Sequence, residues 1–193
     1  PFKSKFFYAA MLLMICSGAA ELAMSQWAST FAETGLGVSK TIGDLAGPMA
    51  FAVLMGMGRV LFSKLSDKIK VENYLIFSAV VCVISYLMAS LSANPIVSLV
   101  GCALCGFSVS AMWPGTISLS TKNITGISTA MFAFLAMAGD VGCTTGPTLI
   151  GFITDALGND LKKGLLFSIT FPIIILITLI ILKLNKKTQK TDN

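Results

Sequence analysis

The chain has 193 residues, 55% of them hydrophobic and 12% charged, with a mean hydropathy of +0.83. Soluble domains carry roughly 25% charged residues, so this composition excludes an ordinary water-soluble domain and points to lipid as the solvent. There is no histidine, which excludes histidine metal sites, Ser-His-Asp triads and histidine proton shuttles, and no metal, cofactor or enzymatic activity is expected.

A membrane helix needs roughly 20 mostly apolar residues. Six runs qualify: Phe6 to Phe31, Leu45 to Phe62, Tyr74 to Leu91, Ile96 to Leu119, Ile127 to Ile153, and Leu165 to Leu182. Turn or charge signals separate them, at Glu33 to Gly37, Lys64 to Glu72, Ala93 to Pro95, Lys122 to Gly126 and Gly158 to Lys163. Helix is the state that satisfies a lipid-facing backbone within one segment, and the alternation that a barrel strand requires is missing. The predicted fold is all-α, with a six-helix membrane bundle over residues 1–184 and a basic tail, disordered by composition, over 185–193.

Placing the N-terminus in the cytoplasm puts Lys3, Lys5, Arg59, Lys64, Lys68, Lys70, Lys122, Lys183, Lys186, Lys187 and Lys190 inside, eleven of the 14 Lys and Arg. Lys40, Lys162 and Lys163 lie outside, accompanied by Glu33, Asp44, Asp155 and Asp160. Both termini are therefore expected in the cytoplasm, on a multi-pass protein of the cell membrane. The net charge of +5 then faces an anionic leaflet and needs no nucleic acid. The first residue is Pro1, which reads as a fragment, and the first apolar run is longer than a signal h-region.

The five cysteines, Cys16, Cys82, Cys102, Cys105 and Cys143, all fall in apolar runs, and an odd count argues against a disulfide framework. Cys102 and Cys105 form a C-x-x-C spacing that is expected to pack between helices. A redox or metal pair is the alternative reading of that spacing.

Two acids sit inside apolar runs. A carboxylate at mid-membrane costs on the order of 2.5–3.5 kcal/mol on insertion scales, so Glu21 and Asp140 are expected to face a cavity or a partner. Helical spacing puts Glu21 on a face with Ser17, Gly18, Ser25 and Ala28, and Asp140 with Ala133, Ala136, Cys143, Thr144 and Pro147. A carboxyl shielded from water can exchange a proton near neutral pH, which makes these acids candidates for a coupling proton or a polar solute. The competing reading is a hydrogen-bonded acid that holds helices together. No Lys or Arg is expected at that depth, so a cationic partner would come from elsewhere. Gln26 is a candidate solute ligand. Trp27 is expected in an interfacial belt. Trp113 precedes Pro114, whose missing N–H frees a carbonyl and suggests a broken helix near a site, with core packing as the alternative.

The loop after the second run reads Gly58-Arg-Val-Leu-Phe-Ser63-Lys-Leu-Ser-Asp67-Lys-Ile-Lys70. It resembles the major facilitator superfamily signature G-x-L-[AS]-D-[RK]-x-G-[RK]-[RK]. Leu65, Ser66, Asp67 and Lys68 match, while Ser63 and Lys70 stand where glycines belong and Val71 and Glu72 replace the basic pair. The resemblance implies a gating role for Arg59, Asp67 and Lys68. The fifth run, from Gly139 to Gly158, is similar to the family's eleventh helix. Gly18-Ala-Ala-Glu21, Gln26-Trp27 and Met112-Trp113-Pro114 resemble the fucose-permease-like sugar branch. Gly47-Pro48 and Gly146-Pro147 would fall in the equivalent second helices of two three-helix repeats.

The resemblance implies helices seven to twelve of a twelve-helix transporter, built as two inverted three-helix repeats. It implies alternating access for a small, sugar-like solute with proton symport, and an N-terminal six-helix half as partner. Other six-span designs fit less well. Asn94-Pro95-Ile96 is a single half of an aquaporin signature, carrier repeats of the P-x-[DE]-x-x-[KR] type are missing, and a rhomboid protease needs histidine. A scaffold or receptor-like membrane protein without transport is the alternative.

Overall fold

A computed structural model describes residues 4–30, 33, 39–124, 126 and 128–191. The turn expected at 34–37, Lys3 and residues 192–193 lie outside the described residues, as do the side chains of Lys186, Lys187 and Lys190. The described residues form α1 (Lys5–Thr30), α2 (Lys40–Leu65), α3 (Val71–Leu91), α4 (Pro95–Val109), α5 (Met112–Asn123), α6 (Thr129–Ala156), α7 (Leu161–Phe167) and α8 (Thr170–Thr191), with no strand among them.

These helices make six rods, because α5 continues α4 and α8 continues α7. Five rods among the described residues are long and apolar enough to cross a membrane. The remaining rod is α6, whose 28 residues span about 42 Å at 1.5 Å per residue. Its glycines, threonines and Asp140 dilute its apolar content.

The sequence places the break of the fourth rod at Trp113-Pro114, but it falls earlier, at Ser110–Ala111. Proline has no N–H to offer the carbonyl four residues back, here that of Ser110, and is itself tolerated in a first turn. Pro114 is accordingly the third residue of α5. The Ser110 hydroxyl donates to the Phe107 carbonyl at 2.6 Å. Pro172 stands in the same relation to Ser168, where α7 gives way to α8. There Ser168 N–H and Ile169 N–H donate three residues back, to Leu165 and Leu166, at 3.0 and 3.2 Å. The tail also differs from expectation. The backbone stays helical to Thr191, because propagating an existing helix costs far less than starting one.

Rod packing repeats itself under exchange of the first three rods with the last three. α1 packs on α6 as α2 packs on α4, and α3 packs on α4 as α1 packs on α8. An odd number of crossings per repeat inverts the second copy relative to the first. Glycines permit the closest approaches. A side chain on Gly142 would collide with the Ile15 carbonyl, one on Gly18 with the Gly139 carbonyl, and one on Gly106 with the Phe51 carbonyl. The two Gly-Pro steps fall, as expected, in the second rod of each set of three, but against different neighbours. Gly47 lies near the start of α2 against Ala28, whereas Gly146 lies in the second half of α6 against Ala19.

The core runs along α1, α3, α4 and α8. Tyr86 is its largest fully buried side chain, and its hydroxyl donates to the Ala20 carbonyl at 2.7 Å. Cys82, Cys102 and Cys105 are buried free thiols around it. By contrast, α2 buries little of its surface within the chain.

Candidate functional site

The small residues Ala19, Ala20 and Ala23 of α1 are fully buried, which leaves Glu21 half-buried at the edge of the helix contact. It opens onto a cleft of about 760 Å³. Arg59, Phe62 and Ser63 of α2 form a second wall, with Ser66 just beyond that helix, and Trp113, Ile117 and Ser118 of α5 form a third.

Arg59 corrects two expectations. It is six residues inside the end of α2, not in the loop, and it lines the same cleft as Glu21. A cationic side chain of this chain therefore faces the same cleft as Glu21. The available signal was its place within the apolar run from Leu45 to Phe62.

Trp113 bridges the cleft to α6. Its ring lies over Gly139, where a Cβ would come within 2.5 Å of it. The indole Nε1 is buried and has no hydrogen-bond partner among the described residues. Gly18, one turn before Glu21, sits against Gly139 and Cys143, which flank Asp140 in α6. The two acids therefore lie near one crossing of α1 and α6.

Asp140 is not on the cleft wall. It is exposed on α6 in a stripe with Ala133, Ala136, Thr144 and Thr148. Thr144 and Thr148 turn their hydroxyls back to the Asp140 and Thr144 carbonyls, at 3.2 and 2.7 Å. Ser25 is half-buried and Gln26 exposed on α1. Trp27 does more than mark an interface, since its indole N–H donates to the Pro147 carbonyl of α6 at 3.2 Å. Asp67 and Lys68 are exposed in the turn after α2.

The family model for the Major Facilitator Superfamily matches residues 1–147. The chain belongs to the Major Facilitator Superfamily. It is also similar to Membrane protein MosC of Rhizobium meliloti, 27% identical over 164 residues, which is 85% of this chain and 39% of that protein. The chain thus spans less than half the length of that relative. Neither match reaches the fucose-permease-like branch. Membership of a transporter superfamily gives the apolar rods and their inverted packing a common explanation, a multi-pass membrane protein. Among the described residues two exposed faces flank the site, besides the exposed apolar rows on α3 and α8. One is the outer side of α2, with Val53, Gly56, Met57 and Val60. The other is the Asp140 stripe of α6.

Proposed function

We propose that this chain is the C-terminal six-helix half of a secondary active transporter that moves a small, polar, sugar-like solute by alternating access with a coupling proton. The observation that carries this reading is the cleft in which Glu21, Arg59 and Trp113 converge from three different helices. Such a site offers an acceptor, a donor fork and an aromatic face, the set that polyhydroxylated rings use.

The bare faces of α2 and α6 suit an N-terminal half docked across them, which would enclose the cleft and bring Asp140 and Thr144 to an internal boundary. Glu21 would take the coupling proton, because a carboxylate shielded on three sides loses less by being neutralised than one in water. Ser25 and Gln26 extend the solute path along α1. Asp67 and Lys68 would act at the end of α2 during the inward–outward exchange. The basic ends of α1, α2 and α8 favour cytoplasmic termini in the cell membrane.

The test is pH-dependent uptake in cells, with Glu21→Gln and Asp140→Asn each at wild-type expression. Loss of proton-dependent uptake in at least the Glu21 variant is expected. Unchanged pH-dependent uptake in both variants would remove the proton from the mechanism. A non-transporting scaffold would show no flux of any solute to begin with.

A further inference from the structure

Glu21 and Arg59 share a cleft without forming an ion pair. The salt bridge within 4.0 Å among the described residues is Lys163–Asp160, and neither cleft charge makes a side-chain hydrogen bond among those residues. Both are left facing about 760 Å³ of space, inside the range of roughly 300–1,000 Å³ typical of small-molecule sites. Among the described residues, no other charged side chain lines this cleft. Asp140 lies beyond Cys143 on the exposed face of α6, and Lys183 is engaged with the Asn73 Oδ1 at 2.8 Å. With Glu21 deprotonated, the described wall therefore carries one negative and one positive group.

The chemistry of these two groups is complementary. An ionised carboxylate only accepts hydrogen bonds, and a guanidinium only donates them. A hydroxyl does both. A sugar acid would set a second acceptor-only group against Glu21, and an amino sugar would set a second donor-only group against Arg59. Trp113 adds a flat apolar wall for a ring face. We infer that Arg59 is a solute-contacting residue and that, with Glu21, it restricts the cleft to polar ring solutes of no net charge.

This inference rests on the sugar-like reading for its ligand, so the experiment has two arms. The first needs no ligand. Ser118→Cys is introduced with Cys143→Ala in the reconstituted full-length protein. Its rates of modification by a cationic and an anionic methanethiosulfonate are then compared at neutral pH. Glu21→Gln is expected to shift the ratio toward the anionic reagent and Arg59→Gln toward the cationic one, each by about threefold for a unit charge at this range. The double variant restores the original ratio and controls for misfolding. A ratio indifferent to Arg59→Gln would overturn the inference.

The second arm measures thermal stabilisation by glucose, glucuronate and glucosamine. The wild type is expected to favour glucose, Glu21→Gln to gain glucuronate, and Arg59→Gln to gain glucosamine. An unchanged ranking across the variants also overturns the inference. If none of the three sugars stabilises any form, the sugar-like reading falls, and the charge rule is decided by the thiol ratios alone.

Discussion

Gly142 has no room for a side chain, because the Ile15 carbonyl of α1 occupies the place of its Cβ. Gly142→Ala is expected to cost about 1–3 kcal/mol through overpacking, read as a fall in unfolding temperature in detergent. Gly56→Ala, where nothing of this chain lies within 4 Å, should leave the unfolding temperature of this six-helix half in place. Trp27→Phe keeps a ring beside Gly151 but removes the bond to Pro147, and a loss of about 1 kcal/mol is expected in the same assay. Asp160 caps α7, accepting from the amides of Lys162 and Lys163 at 3.1 and 3.4 Å. Desolvation, the largest single influence, raises its pKa, but bonds from the Lys163 side chain and the two amides, with the Lys163 charge, together outweigh it and hold it below the ordinary 3.8. The cap is thus at full strength above 3.8 and is lost as pH falls through the lower folded value. Hydrogen exchange across α7 should speed up only in that acid window, and exchange already fast at neutral pH would refute the cap. That Glu21 and Asp140 stand within long helices was legible from the apolar runs around them. Their relation to Arg59 was not, since periodicity assigns a face to each helix but not the neighbour that meets it.

The elements show the same division. Six rods follow from run length and charge, and the breaks between them from turn residues. The kinks inside the fourth and sixth rods needed one more step. Pro114 and Pro172 were visible, but a proline's effect falls on the carbonyl four residues earlier, so the chain bends at Ser110 and Ser168 and not at the prolines. Pro114→Ala supplies the missing donor. The amide introduced at position 114 should then exchange slowly, bonded to the Ser110 carbonyl. Fast exchange there would show that packing, and not the proline, sets the break. The helical continuation to Thr191 was hidden because its polar composition resembles a free tail, while the apolar stretch of α8 before it had already nucleated the helix.

At the scale of the whole molecule, inverted pairing makes α1 with α6 and α2 with α4 two similar, tightly packed units. Glycines at both contacts permit the close approach within each pair. The cleft lies where the units meet, between α1, α2 and α5. In the proposed transporter, rocking of this half against a partner across α2 and α6 would expose the cleft to each side in turn. The superfamily was readable from a partial loop signature, while the substrate was not, because a solute contacts side chains from several helices whose mutual placement no single run encodes. The central claim is that Glu21 ties solute movement to proton movement in this cleft. It is tested most directly by the pH of a weakly buffered suspension of cells or vesicles when a neutral sugar taken up by the protein is added. The account predicts a solute-evoked alkalinisation in the wild type that Glu21→Gln abolishes. Uptake with no accompanying pH change, or an alkalinisation that survives in Glu21→Gln, would contradict it.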